Sequence, residues 1–449
     1  MTKARLDGLY LLMLGAVVFL MLGTVWERAA PVTTADFETA YYTSRCLIQH
    51  HDPYNPSDVM RIFRAGGGDR PSYTANERFV VTECVYLPTE FAFTVPFAML
   101  AWEPAQTVWM ALTAGSFIVA SFLMWDLGAR HAPVTSGALI GFCLANNEQI
   151  LITGNPAGIA VGLCVVAVWS FLKGRIVPVG ILCLAISLAL KPQDAGLVWL
   201  YFLMSRGVYR KRALQTLVLT IVLCLPTVLW VTHISPHWPQ EMRSNFSAFT
   251  VQGGINDPGP ASTGAHGIVK VIDLQTVVSF FRNDPRVYNF VSYLVCGPLL
   301  LVWAITTLLR RPTLARTWLG LASIAALSML PVYHRQYDAK LLLLTIPACA
   351  MLWAEGGPLG RLALVITTGG VALNADLPWA IFFDLVLGLH LSLTGISGLI
   401  LTVVQIFSVP LMLLVVGIFY LWVYVRRCSA QPEACQNHAE PENLAPPIG

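Results

Sequence analysis

The sequence predicts an all-α integral membrane protein, a multi-pass bundle of about twelve transmembrane helices. Two observations support this fold class. Of the 449 residues, 56% are hydrophobic and only 12% are charged, roughly half of the ~25% charge found in soluble domains. The apolar residues also gather in runs of about 15 to 25, close to the ~20 residues with which a helix crosses a bilayer.

The apolar runs give thirteen candidate spans. Thirteen crossings would leave the termini on opposite sides, so one run is expected to be re-entrant or interfacial. We place it in the pair 86–101 and 104–126, because the alternation of sides needs no adjustment from Arg130 onward. The run 194–204 is too short to span alone. The runs cover residues 9–26, 86–101, 104–126, 134–152, 155–172, 176–191, 194–204, 213–232, 287–308, 314–331, 338–353, 361–383 and 397–425.

The distribution of lysine and arginine predicts the orientation. Because cytoplasmic connections are enriched in these residues, the loops at about 27–85 and 233–286 are expected to face outward. The first outer loop is expected to hold short interfacial helices, and the second, rich in turn formers, to be irregular and mobile. The basic clusters are Lys3 and Arg5; Arg130; Lys173 and Arg175; Arg206, Arg210, Lys211 and Arg212; Arg310, Arg311 and Arg316; Arg361; and Arg426 and Arg427.

One polytopic domain is predicted for residues 1–427, followed by a disordered cytoplasmic tail, 428–449. The first apolar run lacks a small-residue cleavage site and is expected to remain as a helix. A net charge of +3 is too small to suggest nucleic acid. The ten cysteines show no spacing with nearby histidines that would bind zinc, and no cofactor is predicted. Cys46 and Cys84 could form a disulfide if the first outer loop faces an oxidising compartment.

The first candidate for chemistry is Asp36, ten residues beyond the first apolar run. A carboxylate at the outer mouth of a helix bundle can act as a general base on a hydroxyl within its reach. If the loop begins as a helix, Asp36 and Glu38 lie about 200° apart, so only one of them can face a central cavity. The alternative is a solvated acidic pair that caps the helix or pairs with Arg45.

Two breaks between apolar runs carry polar residues at the predicted outer side. Asn155 follows Gly154 within an otherwise continuous apolar stretch, and either a re-entrant turn beside a substrate site or a simple hairpin explains it. Lys191 lies outside, against the positive-inside trend. It can neutralise a phosphate, or it can form an ion pair with Asp194 or Glu148.

The densest polar segment between two spans is 333–340, which contains His334, Arg335 and Lys340 together with Tyr333 and Tyr337. Arginine suits a phosphate through bidentate hydrogen bonds and lysine as a point charge. The alternative is an interfacial belt of aromatic residues and snorkelling bases.

Taken in order, these motifs resemble the GT-C superfamily of membrane glycosyltransferases. They are most similar to glycosyltransferase family 87, the group that uses polyprenyl-phosphate mannose. The chain departs from the family pattern at Leu87, where a second proline is common, at Asn155, where glutamine is common, and at Arg335, where a second histidine is common. The resembling pieces are Asp36-Phe37 with Tyr41, Asp52-Pro53-Tyr54, Tyr86-Leu87-Pro88, Gly154-Asn155, Lys191-Pro192 and the segment 333–340.

The resemblance implies a GT-C-type bundle that transfers a hexose, mannose in the family, from polyprenyl phosphate to a lipid or glycan hydroxyl. It implies a metal-independent reaction on the outer side of the cell membrane, with Asp36 as the base. His334, Arg335 and Lys191 are then expected to bind the donor phosphate. The residues predicted to contact substrate are Tyr41, Glu83, Tyr86, Asn155 and Tyr337.

The sequence is also compatible with two other functions. A transporter or flippase of a lipid-linked or anionic solute would use the same polar residues for binding only. The lack of a detectable internal repeat disfavours it, because many transporters are built from duplicated halves. A polytopic scaffold or polymer ligase would not require a lone carboxylate near the mouth of the bundle.

Overall fold

The computed structural model describes residues 2–29, 34–260, 262, 270–388 and 395–429. Over these ranges the protein is all-helical, and the one β-bridge found pairs Val271 with Arg335. The predicted all-α, multi-pass helix bundle is therefore confirmed. The predicted tail lies, from residue 430 onward, outside the described ranges.

The N-terminal part consists of one long apolar helix and three short ones. The predicted short helices of the first outer loop are thus present. Asn55 caps one of them, because its Oδ1 accepts the backbone N–H of Ser57 at 3.0 Å. Cys46 and Cys84 are both buried, free thiols, so no disulfide joins them. The helices are α1 (Lys3–Ala29), α2 (Ala35–Ile48), α3 (Pro56–Ala65) and α4 (Ala75–Thr82).

The next segment shows which of the two runs 86–101 and 104–126 is short. The run 86–101 yields only an eight-residue helix, whereas 104–126 belongs to a helix of 27 residues. The run 134–152 is also divided, near Asn147. The helices are α5 (Phe91–Ala98), α6 (Trp102–Gly128), α7 (Pro133–Ala145), α8 (Gln149–Thr153) and α9 (Ala157–Lys173).

The middle of the chain breaks at Lys191 and then enters the predicted second outer loop. That loop is only partly irregular, because two helices flank the turns at 251–260. The helices are α10 (Val177–Leu190), α11 (Pro192–Met204), α12 (Val208–Ile234), α13 (Trp238–Thr250) and α14 (Leu274–Phe281).

Among the described helices that are long and apolar enough to span a bilayer, the most buried lies in the C-terminal part. The stretch Gln336–Glu355 begins as a 3-10 helix and has 89% of its apolar window inside the protein. The segments are α15 (Pro285–Leu309), α16 (Leu314–Leu327), the 3-10 helix (Gln336–Thr345), α17 (Ile346–Glu355), α18 (Gly357–Leu373), α19 (Asp376–Gly388) and α20 (Gly395–Ser429).

Fewer helices are long enough to cross a bilayer than the twelve expected. Within the described ranges six are long and apolar enough, or seven if α18 and the bent helix after it form one span. The difference arises because proline, glycine and asparagine divide the apolar runs. A 14-residue helix such as α10 is about 21 Å long, shorter than the ~30 Å hydrocarbon core.

Candidate functional site

One cavity lies where several of these helix ends meet. It has an empty volume of about 950 Å³, including its open mouth. Polar groups come from the start of α2, the breaks before α9 and α11, and the segment before the 3-10 helix. Its polar and charged lining includes Asp36, Glu83, Tyr86, Glu90, Asn155, Lys191, Asn256, Tyr333, Arg335 and Tyr337.

Asn155 holds the Asp36 carboxylate in place. Asn155 Nδ2 donates to Asp36 Oδ2 at 2.8 Å, while Asn155 Oδ1 accepts the backbone N–H of Ala157 at 2.9 Å. An amide offers both a donor and an acceptor, so one side chain fixes the start of α9 and orients the carboxylate. No group in the described part of the chain donates to Asp36 Oδ1, which leaves that oxygen able to accept a proton from a substrate.

The position of Asn155 depends on the glycine before it. Gly154 has φ +62°, and a Cβ there would lie 3.0 Å from Cβ of Phe37 and 3.1 Å from Cβ of Thr34. Glycine adopts this left-handed conformation without steric cost and allows the close approach. Trp109 Nε1 donates to the Gly154 carbonyl at 2.8 Å, which fixes the turn against α6.

The environment of Asp36 suits proton abstraction. Burial raises the pKa of Asp36, while the hydrogen bond from Asn155 and the charges of Arg335 and Lys191 lower it, and the net shift is upward. A general base is most effective when its pKa approaches the working pH. An upward shift therefore makes this carboxylate a stronger base than an exposed aspartate.

Glu38, the other acidic candidate, points away from the cavity. The Tyr73 hydroxyl donates to Glu38 Oε2 at 2.6 Å, and the side chain is buried. Burial raises the pKa of Glu38 to about 7. Of the two carboxyls, only Asp36 lines the cavity.

Lys191 is embedded in an ion-pair network behind the cavity wall. Its Nζ lies 2.6 Å from Asp338 Oδ1, 3.7 Å from Asp194 Oδ2 and 3.4 Å from Asn155 Oδ1. The ammonium also lies 4.9 Å from the centre of the Tyr337 ring. Lys191 therefore pairs with Asp194 and Asp338, while it still forms part of the cavity lining.

Arg335 connects the cavity to the second outer loop. Its Nη2 donates to the Ile255 carbonyl and to Asn256 Oδ1, each at 2.7 Å. The Tyr333 hydroxyl donates to the same Asn256 oxygen at 2.8 Å. The backbone N–H of Arg335 donates to Asp338 Oδ2 at 2.9 Å, which joins this group to the Lys191 network.

Seven of the nine predicted site residues line the cavity together. They are Asp36, Glu83, Tyr86, Asn155, Lys191, Arg335 and Tyr337. Two do not line it, Tyr41 and His334.

Tyr41 lies in an aromatic cluster instead of the cavity. Its ring is fully buried, 5.1 Å from the Trp102 ring and 6.0 Å from the Phe37 ring, and its hydroxyl donates to the Leu100 carbonyl at 2.9 Å. Tyr41 therefore does not line the cavity, and its contact with substrate stays a prediction. On an amphipathic helix such as α2, a tyrosine can occupy either the cavity face or the packed face.

His334 is also buried behind the cavity wall. Its Nε2 lies 3.5 Å from Asp194 Oδ1, and its Nδ1 lies 3.0 Å from the Val332 carbonyl. Burial lowers the pKa of His334 below its ordinary value, which favours the neutral ring. His334 therefore does not line the cavity, and its binding of the donor phosphate stays a prediction.

Asp194, His334 and Asp338 also have the chemistry of metal ligands, with ligand atoms within 4.8 Å of one another. The Lys191 ammonium, however, already contacts both carboxylates. These donors therefore fit a lysine better than a metal ion, whose charge would be repelled by the ammonium. The prediction that the reaction needs neither metal nor cofactor stays a prediction.

Sequence reasoning missed Glu90 and Asn256. Asn256 contacts Arg335 across 79 residues of chain, so no local pattern could reveal it. Glu90 lies at the start of an apolar segment, and a charged residue in such a place is itself a signal of function.

Comparison with known proteins yields one match. The profile of glycosyltransferase family 87 matches residues 85–262, which include Tyr86, Glu90, Asn155, Lys191 and Asn256. No curated protein and no solved structure gives a significant match. The match agrees with the resemblance noted in the sequence and supports a membrane glycosyltransferase, which implies a sugar donor and an acceptor.

Proposed function

We propose that this glycosyltransferase moves a hexose, mannose, from a polyprenyl-phosphate donor to a hydroxyl of a lipid or glycan acceptor. The observation that carries the proposal is one cavity wall that combines the Asp36 carboxylate with the cations Lys191 and Arg335. A transfer from a phosphorylated lipid needs both a base for the acceptor and positive charge at the leaving phosphate.

The reaction proceeds as a single displacement. Asp36 removes the proton of the acceptor hydroxyl, and the acceptor oxygen attacks the anomeric carbon of the donor sugar. The bond from that carbon to the phosphate oxygen breaks, and polyprenyl phosphate leaves with the bonding electrons. Attack opposite the leaving group inverts the anomeric centre.

Lys191 and Arg335 stabilise the charge that develops on the departing phosphate. Both side chains carry a full positive charge, Lys191 on an ammonium and Arg335 on a planar guanidinium. Phosphate already ionises readily, so it needs cations at its oxygens more than it needs a strong general acid. Asn155 couples the two ends of the reaction, because it contacts both Asp36 and Lys191.

We further propose that the cavity opens on the outer side of the cell membrane. The support is the lysine and arginine asymmetry of the connections, which places the loops containing Asp36 and Asn256 outside. There the acceptor would be an envelope lipid or glycan.

The test is a transfer assay with the purified protein in lipid nanodiscs. Radiolabelled farnesyl-phosphate mannose serves as donor and octyl mannoside as acceptor, with UDP-mannose and GDP-mannose as alternative donors. We expect transfer from the prenyl-phosphate donor without a nucleotide sugar. Transfer from a nucleotide sugar alone would refute the donor class. Donor binding with no transfer to any tested hydroxyl would favour a transporter or flippase.

A further inference from the structure

Glu90 is a buried residue of the cavity wall, and one of its two carboxyl oxygens has no hydrogen-bond partner among the described residues. It stands immediately before α5, its residue is only 1% exposed, and its side chain makes no capping hydrogen bond to that helix. Within the described ranges, Glu90 Oε1 has no hydrogen-bond partner. A buried polar atom without a hydrogen-bond partner is unfavourable, and Glu90 belongs to the cavity lining, so a ligand in the cavity could complete its hydrogen bonding.

The charges around Glu90 show which kind of ligand fits. The charged groups that shift the pKa of Glu90 are Lys191, a proposed phosphate-binding cation, and Asp36, the proposed base. Burial raises the pKa of Glu90 well above its ordinary value, which favours the neutral acid. A neutral carboxyl offers one O–H donor together with acceptor oxygens. That combination matches a sugar hydroxyl, which also both donates and accepts.

Two other ligand classes fit less well. A metal ion would need the ionised carboxylate, which this environment disfavours. A phosphate has only acceptor oxygens at neutral pH and would leave the acceptor capacity of Glu90 unused. Lys191 and Arg335 are better placed for phosphate, because they supply positive charge.

We propose that Glu90 is a sugar-recognising residue, whose carboxyl exchanges hydrogen bonds with one ring hydroxyl of a sugar held between Asp36 and Lys191. The hydroxyl belongs to the donor sugar or to the acceptor. Glu90 thereby selects among hexoses and positions the ring for attack. This inference rests on the proposed function and adds a residue that determines substrate specificity.

Two substitutions separate hydrogen bonding from packing. Glu90→Gln keeps the size and retains both a donor and an acceptor, whereas Glu90→Leu removes both. We expect Glu90→Leu to lower kcat/KM by about 5- to 150-fold, the equivalent of one buried hydrogen bond, and Glu90→Gln to retain most of the activity. The matched control is Glu148→Leu, because Glu148 is equally buried and its carboxyl oxygens lack partners, but it does not line the cavity.

The decisive experiment measures transfer with analogues in which one hydroxyl at a time is replaced by hydrogen. One series varies farnesyl-phosphate mannose and a second varies octyl mannoside, so the two sources of the hydroxyl are distinguished. We expect the parent protein to discriminate strongly against one analogue in one series. Glu90→Leu, or Glu90→Gln if the leucine variant does not fold, should lose part of that discrimination and no other.

The outcomes separate this inference from the proposed function. Equal discrimination by the parent and by the Glu90 variants against every analogue would overturn the role of Glu90 while leaving the transfer reaction intact. If the parent transferred no sugar from the prenyl-phosphate donor, both the proposed function and this inference would fail. Loss of discrimination in Glu148→Leu as well would show a general packing effect and would also overturn the assignment.

Discussion

Arg335 makes contacts that fix the position of its guanidinium in the cavity wall. Its guanidinium links the cavity to the second outer loop through Ile255 and Asn256, so it is held in position before a donor arrives. A guanidinium fixed in this way loses little further freedom on binding an anion, and its planar fork matches two phosphate oxygens. Lysine at the same place would supply charge without that geometry.

We therefore expect Arg335→Ala to weaken donor binding by about 10- to 150-fold, the equivalent of one charge-assisted hydrogen bond. Arg335→Lys should restore only part of the affinity. The measurement is a titration of farnesyl-phosphate mannose, with the unphosphorylated prenol as reference ligand. Arg61→Ala is the control, because Arg61 is exposed and pairs only with Asp58. Unchanged affinity in Arg335→Ala would show that Arg335 does not bind the donor phosphate.

Glu38 gives a prediction about stability and pH. Its folded-state pKa is about 7, above the ordinary value of 4.5, so the folded protein favours the protonated form. The associated stability is fully present below about pH 4.5 and is lost as pH rises through about 7, which amounts to roughly 3 kcal/mol. Glu38→Gln should remove this dependence, because glutamine cannot ionise but still accepts from Tyr73.

The thermal midpoint of parent and variant, measured between pH 5 and pH 8, checks this prediction. The difference between Glu38→Gln and the parent should grow in favour of the variant as pH rises. Glu103→Gln, an exposed substitution in the first turn of α6, serves as control. Parallel curves for Glu38→Gln and the parent would show that Glu38 is ionised throughout.

At the scale of elements, the break between α8 and α9 is what places Asn155 against Asp36. Alanine substitutions at Gly154 and Gly174 test the role of this break, because both glycines have the left-handed conformation, with φ +62° and φ +66°. Alanine at either position costs roughly 1–2 kcal/mol in backbone strain. Only at Gly154 would the new Cβ crowd Phe37 and Thr34, since at Gly174 the nearest atom lies 4.0 Å away.

Gly154→Ala should therefore lower the thermal midpoint at least as much as Gly174→Ala, and only Gly154→Ala should reduce transfer severely. The displaced turn would pull Asn155 away from Asp36 and leave the carboxylate misoriented. Melting curves and initial rates of transfer for both variants provide the comparison. Equal activity in the two variants would mean that the break does not position the catalytic group.

For the whole molecule, orientation in the membrane is the property on which the chemistry depends. The predicted topology places the loops of Asp36 and Asn256 outside and the basic connections near residues 206 and 311 inside. The described native cysteines are buried, so single introduced cysteines can report on each side once Cys428 and Cys435 are replaced by serine.

An impermeant maleimide applied to intact cells should label Ser57→Cys and Ser247→Cys. Arg206→Cys and Arg311→Cys should react only after the membrane is permeabilised. All four positions are exposed in the folded protein, so accessibility within the fold does not limit the reaction. The opposite labelling pattern would reverse the topology and place the cavity on the cytoplasmic side.

The sequence predicts most of the site because polar residues at helix breaks are conspicuous in an apolar chain. Asn155 and Lys191 lie beside proline residues that interrupt apolar runs, and the cavity forms at those interruptions. The length of the helices could not be inferred, since hydropathy does not show where a run bends. The sequence does not show which of the two tyrosines, Tyr41 or Tyr86, faces the cavity. In the structure Tyr41 is packed in the core and Tyr86 lines the cavity.

The central claim is that Asp36 removes the acceptor proton, and Asp36→Asn tests it most directly. Asparagine keeps the shape and can still accept from Asn155, but it is not basic, so we expect transfer to fall by about 10²- to 10⁴-fold. Donor affinity and melting temperature should remain close to those of the parent and of the control Asp58→Asn. Transfer at a near-normal rate by the folded Asp36→Asn protein would contradict the account and exclude Asp36 as the base.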